Sequence, residues 1–219
     1  MQVYIRVRPD LPAIDGPCEG APHLLLDEAA NTIQVPDVDG PAKAYKCHRV
    51  FGTESTTEEV YADVFREPMD QMARGFNVTL FAYGQTGSGK THTMFGPDNV
   101  ISDFEASDVE EHGIVPRACA LLFGSLAAAE SGVLVQASYL EVYNDKLNDL
   151  LSGERGLLMR EGGAKGVTVD GLSSEMVSSA DEVMDLLARG NQRRVVAKMS
   201  MNLRSSRGHA TLTLCLARP

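Results

Sequence analysis

What this sequence lacks already excludes several common classes of protein. Its four cysteines, Cys18, Cys47, Cys119 and Cys215, form no CxxC pair, and no His/Cys cluster has zinc-ligand spacing. That favours reduced, buried thiols. The opening MQVYIRVRPD holds two arginines and no apolar run, so it is not a secretory signal. No window approaches the ~20 apolar residues that a membrane span needs. Repeats, low-complexity tracts and linkers are missing too, and one domain is the better count. Basic charge is short: 20 Lys and Arg stand against 30 Asp and Glu, for a net charge of −10. A general nucleic-acid coat protein carries the opposite sign. The expectation is a soluble, cytoplasmic chain with neither a nucleic-acid nor a membrane partner.

The 219 residues can bury a sizeable core, and 43% hydrophobic with 23% charged is ordinary for a globular protein. Charge is uneven along the chain. Between Phe95 and Pro116 there are six acids and no Lys or Arg, which reads as an exposed loop. From Leu186 to Pro219 there are seven basic residues and no acid.

Alternation at Val3, Ile5 and Val7 predicts a strand that Pro9 stops. Residues 10–45 read as short strands and turns. Ser55–Met72 is a predicted helix capped by Thr56 or Thr57, with Val60, Val64 and Phe65 on one face and a break near Pro68. Asn77–Tyr83 reads as a buried strand, Val115–Ala129 as a helix and Gly132–Tyr143 as a long strand. A helical turn is expected over Asp145–Leu151, and strand pieces at Val167–Val169 and Ser174–Val177. Ala180–Val196 is a helix with Val183, Leu186 and Leu187 inward and Ser179 or Asp181 near its cap. His209–Leu216 is the last strand.

The sharpest chemical signal is Gly84-Gln85-Thr86-Gly87-Ser88-Gly89-Lys90-Thr91, which fits G-x-x-x-x-G-K-[ST] directly after a strand candidate. Glycines let the backbone curl so that successive N–H groups face phosphate oxygens. A helix starting at Lys90 adds its positive end. In this pattern Lys90 reaches the β- and γ-phosphates and the Thr91 hydroxyl ligates Mg²⁺. The chain therefore reads as a binder of a nucleoside triphosphate, but kinases, GTPases, helicases and motors share such a loop.

Further segments narrow the choice. They are Arg6-Val7-Arg8-Pro9, the extended FAYGQTGSGKTHTM over 81–94, Gly113-Ile114-Val115-Pro116-Arg117, Ser138–Lys146 (SYLEVYNDK), and Asn202-Leu203-Arg204-Ser205-Ser206-Arg207-Gly208-His209. In this order and spacing the chain resembles the kinesin motor domain from about Val3 to Leu216. The resemblance implies an α/β P-loop NTPase fold, a mixed central sheet with helices on both faces. It implies a microtubule motor that binds Mg·ATP and couples hydrolysis to movement. Arg6, Arg8 and Pro9 would lie against the adenine, with His92 near the base. Asn202, Ser205, Ser206 and Arg207 would form switch I, Ser206 on the metal side and Ser205 on the water side. Lys146, Arg160 and Lys165 would fall on a face that can touch acidic tubulin; plain surface charge is the competing reading.

The family's second switch, D-x-x-G-x-E, does not occur. The one D-x-x-G spacing, Asp37 to Gly40, precedes the phosphate loop in a Pro/Gly-rich turn. On that pattern the chain is the first two-thirds of a motor domain, incomplete at its C-terminus. A non-motile nucleotide-binding or scaffold fragment is the alternative. A third reading, an unrelated phosphotransferase using Asp170, competes with a simple Asp170-Gly171 turn. Two departures stand inside the matched region: Gly208 replaces the usual serine, and Ser200 stands where many kinesins have asparagine.

Overall fold

The computed structural model describes residues 1–10, 24–37, 40–97, 104, 108–128, 132–162, 166–200 and 208–217. They divide into two compact units. The first comprises Met1–Gly96 and Val109–Ile114; the second comprises Pro97–Asp108 and Val115–Pro219.

In the first unit, β1 (Tyr4–Arg6) pairs in parallel with β5 (Arg49–Phe51), with Tyr4 opposite Arg49. A separate antiparallel sheet joins β2 (Leu25–Asp27), β3 (Thr32–Val35) and β4 (Lys43–Lys46). Asn31 turns between β2 and β3 at φ 55°, a left-handed conformation that asparagine tolerates. Helix α1 (Thr57–Ala73) starts at a reciprocal cap. The Glu59 amide donates to Thr56 Oγ1 at 3.2 Å, and the Thr56 amide donates to Glu59 Oε2 at 2.9 Å. Thr56 is therefore the cap, and Thr57 is free for another task. The expected break at Pro68 does not end the helix, which continues to Ala73. It ends at Gly75 instead, whose φ of 85° lets its own amide and that of Phe76 reach the Met72 and Gln71 carbonyls. Val60, Val64, Phe51 and Ile114 form the core of this unit, with Phe65, Leu80 and Met94 packed against it.

The 77–83 stretch alters the sequence reading. Val78, Leu80 and Ala82 are half-buried and their neighbours exposed, so the period of two is present, yet the stretch pairs with no strand among the described residues. It borders a cavity of about 720 Å³ whose opposite wall includes β1. A strand needs a hydrogen-bonding neighbour, and sequence alternation alone does not supply one. Phe81 and Tyr83 accordingly stand 69% and 95% exposed, where a buried strand was expected.

The second unit is organised by β6 (Leu134–Tyr143). β12 (His209–Ala217) runs antiparallel along one edge over nearly its whole length. β11 (Glu175–Val177) and β7 (Lys146–Asp149) therefore share the other edge, β11 near Val135 and β7 near Val142. β8 (Arg155–Leu157) continues the sheet beyond β7, and β9 (Met159–Glu161) pairs with β10 (Val167–Val169) as a separate ribbon. The helical turn expected over 145–151 is instead strand β7. Asn144 and Asp145 adopt φ of 49° and 58° between the paired Tyr143 and Lys146, which makes a two-residue hairpin turn. Among the described residues pairing is thus mixed, parallel in β1–β5 and antiparallel elsewhere.

Val135, Ala137, Tyr139 and Glu141 make the buried face of β6. Helix α4 (Ala180–Ser200) packs on it, with Ser179 accepting from the Glu182 amide at 3.2 Å as its cap. Val183, Met184, Leu186 and Leu187 are buried on its inner side. α3, between the phosphate loop and β6, covers Ile114–Ala128, as the Gly-Ile-Val-Pro-Arg start predicts. The thiols differ from expectation: Cys119 is buried, whereas Cys215 is exposed. Cys18 lies outside the described residues.

Candidate nucleotide site

The phosphate-loop pattern sits where its chemistry needs it. Residues 84–89 form a loop, and α2 (Lys90–Phe95) begins immediately after Gly89. Gly87 and Gly89 have φ of 81° and 88°, backbone that side chains with a Cβ rarely adopt. A Cβ on Gly84 would lie 2.4 Å from Ser88 Oγ, so any side chain there would displace the serine hydroxyl. Lys90 folds back over this loop. Its ammonium donates to the Gly84 carbonyl at 2.8 Å and the Gln85 carbonyl at 2.7 Å, leaving a third donor.

Two arginines brace the loop. Arg8 Nε donates to the Gly87 carbonyl at 2.7 Å, and its Nη1 donates to the Pro9 carbonyl at 2.8 Å. Arg6 donates to Thr93 Oγ1 at 3.1 Å, on α2, and to Thr57 Oγ1 at 3.0 Å, on α1. Arg6 at the end of β1 thus ties α2 to α1, and Arg8 just beyond the strand holds the phosphate loop. Burial lowers the Arg6 pKa from its ordinary value. Burial also lowers that of His92, with the Arg6 charge adding to the effect and Glu111 opposing it, so His92 favours the neutral imidazole. Residues 76–97 contain no acid, while Arg8 and Lys90 contact the loop and Arg6 holds the helix that follows it. An anion is therefore favoured here although the chain is acidic.

The acidic stretch leaves α2 through Gly96 and returns through a short 3-10 turn at Val109–Glu111. The Gly113 amide donates to the Phe95 carbonyl at 3.0 Å, and a Cβ on Gly113 would meet the Phe95 amide nitrogen at 2.4 Å. Glycine before Ile114 is required by this contact.

Arg6, Arg8, Pro9, Gly84, Gln85, Thr86, Gly87, Ser88, Gly89, Lys90, Thr91 and His92 all fall in the first unit, with Arg8 and Lys90 in contact with the 84–89 loop. Asn202, Ser205, Ser206, Arg207 and Lys165 lie outside the described residues. Lys146 is exposed at the β6–β7 turn, and Arg160 pairs with Asp170. Asp170 precedes Gly171, whose φ of 76° makes the expected turn, and its carboxylate is engaged by Arg160. Asp37 pairs with Lys43 at 2.9 Å. Thr57 was missed as a partner of Arg6. The 51-residue separation leaves no local signal for it.

The donor set suits a magnesium-bound nucleoside triphosphate: a curled glycine loop, a lysine ammonium above it and the exposed Thr91 hydroxyl. Among the described residues no His/Cys/Asp/Glu cluster could hold a metal on its own.

Comparison with known proteins decides among the phosphate-loop classes. The kinesin motor domain family matches residues 16–219. The chain belongs to the kinesin motor-domain family. It is 36% identical over 225 residues to kinesin-like protein KIF15 of Rattus norvegicus, covering 99% of this chain and 16% of that protein. It is 35% identical over 229 residues to kinesin-like protein Klp61F of Drosophila melanogaster, covering 98% of this chain and 20% of that one. A solved fast kinesin superposes with a TM-score of 0.84 at 30% identity, over 99% of this chain and 59% of that chain. The fold is thus the kinesin-type P-loop fold. The chain spans at most a fifth of the length of these curated relatives. Among the described residues no helix is long and apolar enough to cross a membrane.

Proposed function

We propose that residues 1–219 are part of one motor domain that binds Mg·ATP at the 84–91 loop and couples its hydrolysis to movement on microtubules in the cytoplasm. The observation that carries this reading is the position of Lys90 over the Gly84 and Gln85 carbonyls, braced by Arg8 at Gly87. On this reading Lys90 turns its ammonium to the β- and γ-phosphates, and loop amides of Gln85–Thr91 hold the remaining oxygens. Arg6, Arg8, Pro9 and His92 frame the base; the neutral His92 suits an uncharged purine. Thr91 and Ser206 would hold the magnesium ion, which neutralises charge on the phosphates when bound. Ser205 holds the attacking water, while Asn202 and Arg207 support that segment. Lys146, Arg160 and Lys165 meet acidic tubulin; Arg160 must share its charge with Asp170 to do so.

Titration with a fluorescent ATP analogue tests the site. Lys90→Ala should abolish binding, because the curled loop then lacks the ammonium that lies over it. Unchanged affinity in that variant refutes the assignment.

A further inference from the structure

Gly208 immediately follows Arg207 and precedes β12, and its backbone is tied to a part-buried ion pair. Arg194 on α4 donates from Nε to Glu141 Oε1 at 2.9 Å, and from Nη2 to the Gly208 carbonyl at 3.3 Å. The two side chains are only 20% and 9% exposed. A Cβ built on Gly208 would fall 2.7 Å from that same Oε1 and 3.4 Å from the Glu141 carboxyl carbon. On an open surface a glutamate would swing aside at little cost. Here it would leave the largely covered Arg194 guanidinium without its counter-ion, which is unfavourable. The missing side chain at 208 and the Glu141–Arg194 pair are therefore one arrangement. A serine, usual at this position in the resembled pattern, would not fit it unchanged.

We propose that Gly208, Glu141 and Arg194 are positioning residues. They clamp α4 to the residue just before β12 and so fix the chain immediately after the segment proposed above to act in hydrolysis. What the clamp serves rests on the function proposed above; that it exists does not. None of the three is among the residues assigned above to nucleotide binding, so the effect expected of them is on the hydrolytic step and not on affinity.

A double-variant cycle in the full chain tests this, with Gly208→Ala, Glu141→Ala and both together. Single-turnover ATP hydrolysis, binding of a fluorescent ATP analogue and the thermal midpoint are read for each. Each single variant should slow hydrolysis about tenfold with affinity within about twofold. The double variant should be no slower than Glu141→Ala alone, because the carboxylate that the new methyl group meets is gone. Slowing that multiplies to about a hundredfold overturns the proposal, as does Gly208→Ala at the wild-type rate. If the wild-type chain hydrolyses nothing, the nucleotide reading falls and the midpoints still decide the clamp. A double variant no less stable than Glu141→Ala supports it, and additive losses overturn it. Glu141→Gln, which keeps the shape, should retain more of the rate than Glu141→Ala.

Discussion

Two helical glycines, Gly190 and Gly124, should respond to the same substitution with opposite signs. Gly190 is buried on α4, and a Cβ there would stand 2.4 Å from Tyr139 Cδ1, 2.7 Å from Cε1 and 3.3 Å from Leu150 Cβ. Tyr139 cannot yield easily. It is 1% exposed, and its hydroxyl donates to Asn191 Oδ1 at 2.9 Å. Overpacking of this kind costs about 1–3 kcal/mol. Tilting the ring off Asn191 adds about 1 kcal/mol. The gain from replacing glycine by alanine inside a helix is about 1 kcal/mol. Gly190→Ala should therefore destabilise by about 1–3 kcal/mol. Gly124, exposed on α3, has nothing within 4 Å of its would-be Cβ. There only the helix term remains, and Gly124→Ala should stabilise by about 0.5–1 kcal/mol. In thermal unfolding the first should lower the midpoint by about 2–10 °C and the second raise it by about 1–4 °C. If Gly190→Ala also raises the midpoint, α4 does not lie on Tyr139 as described, and the seat of Arg194 on Glu141 is lost with it.

Two other outcomes follow from the same coordinates. Burial alone would raise the pKa of Asp149. Hydrogen bonds from the Ser173 hydroxyl and amide and from the Leu151 and Ser152 amides outweigh that and lower it below the usual carboxylate value. A depressed folded value stabilises fully above the unfolded pKa and ceases to do so as pH falls through the folded one. Asp149→Asn should therefore lower stability by about 1–3 kcal/mol at pH 7, and the gap to wild type should shrink below about pH 4; a gap constant with pH refutes this. Reversing the exposed charge at Lys146, as Lys146→Glu, should weaken microtubule co-sedimentation several-fold at low salt and leave ATP-analogue binding unchanged, and undiminished co-sedimentation removes Lys146 from the contact face.

Much of the chemistry is local and so was legible in the residues themselves. Glycines at 84, 87 and 89 followed by Lys90 and Thr91 dictate a curled loop and a helix start over a few adjacent residues, and the structure places them so. The caps at Thr56 and Ser179 and the inward Val183, Leu186 and Leu187 are likewise short-range consequences of residue type. Tertiary structure decided what depends on a distant partner. Asn144-Asp145 could open a helical turn or close a hairpin, and pairing of β7 with β6 settled it. The 77–83 alternation is satisfied by burial on one side, but a strand also needs a hydrogen-bonded neighbour, which no local pattern provides. Arg6 reaches Thr57 and Thr93 across 51 and 87 residues, and Glu141 meets Arg194 and the space above Gly208 across 53 and more. Local sequence sets backbone preference and periodicity, which extend over a few residues. Which side chains share one buried volume is set by close packing of the whole chain.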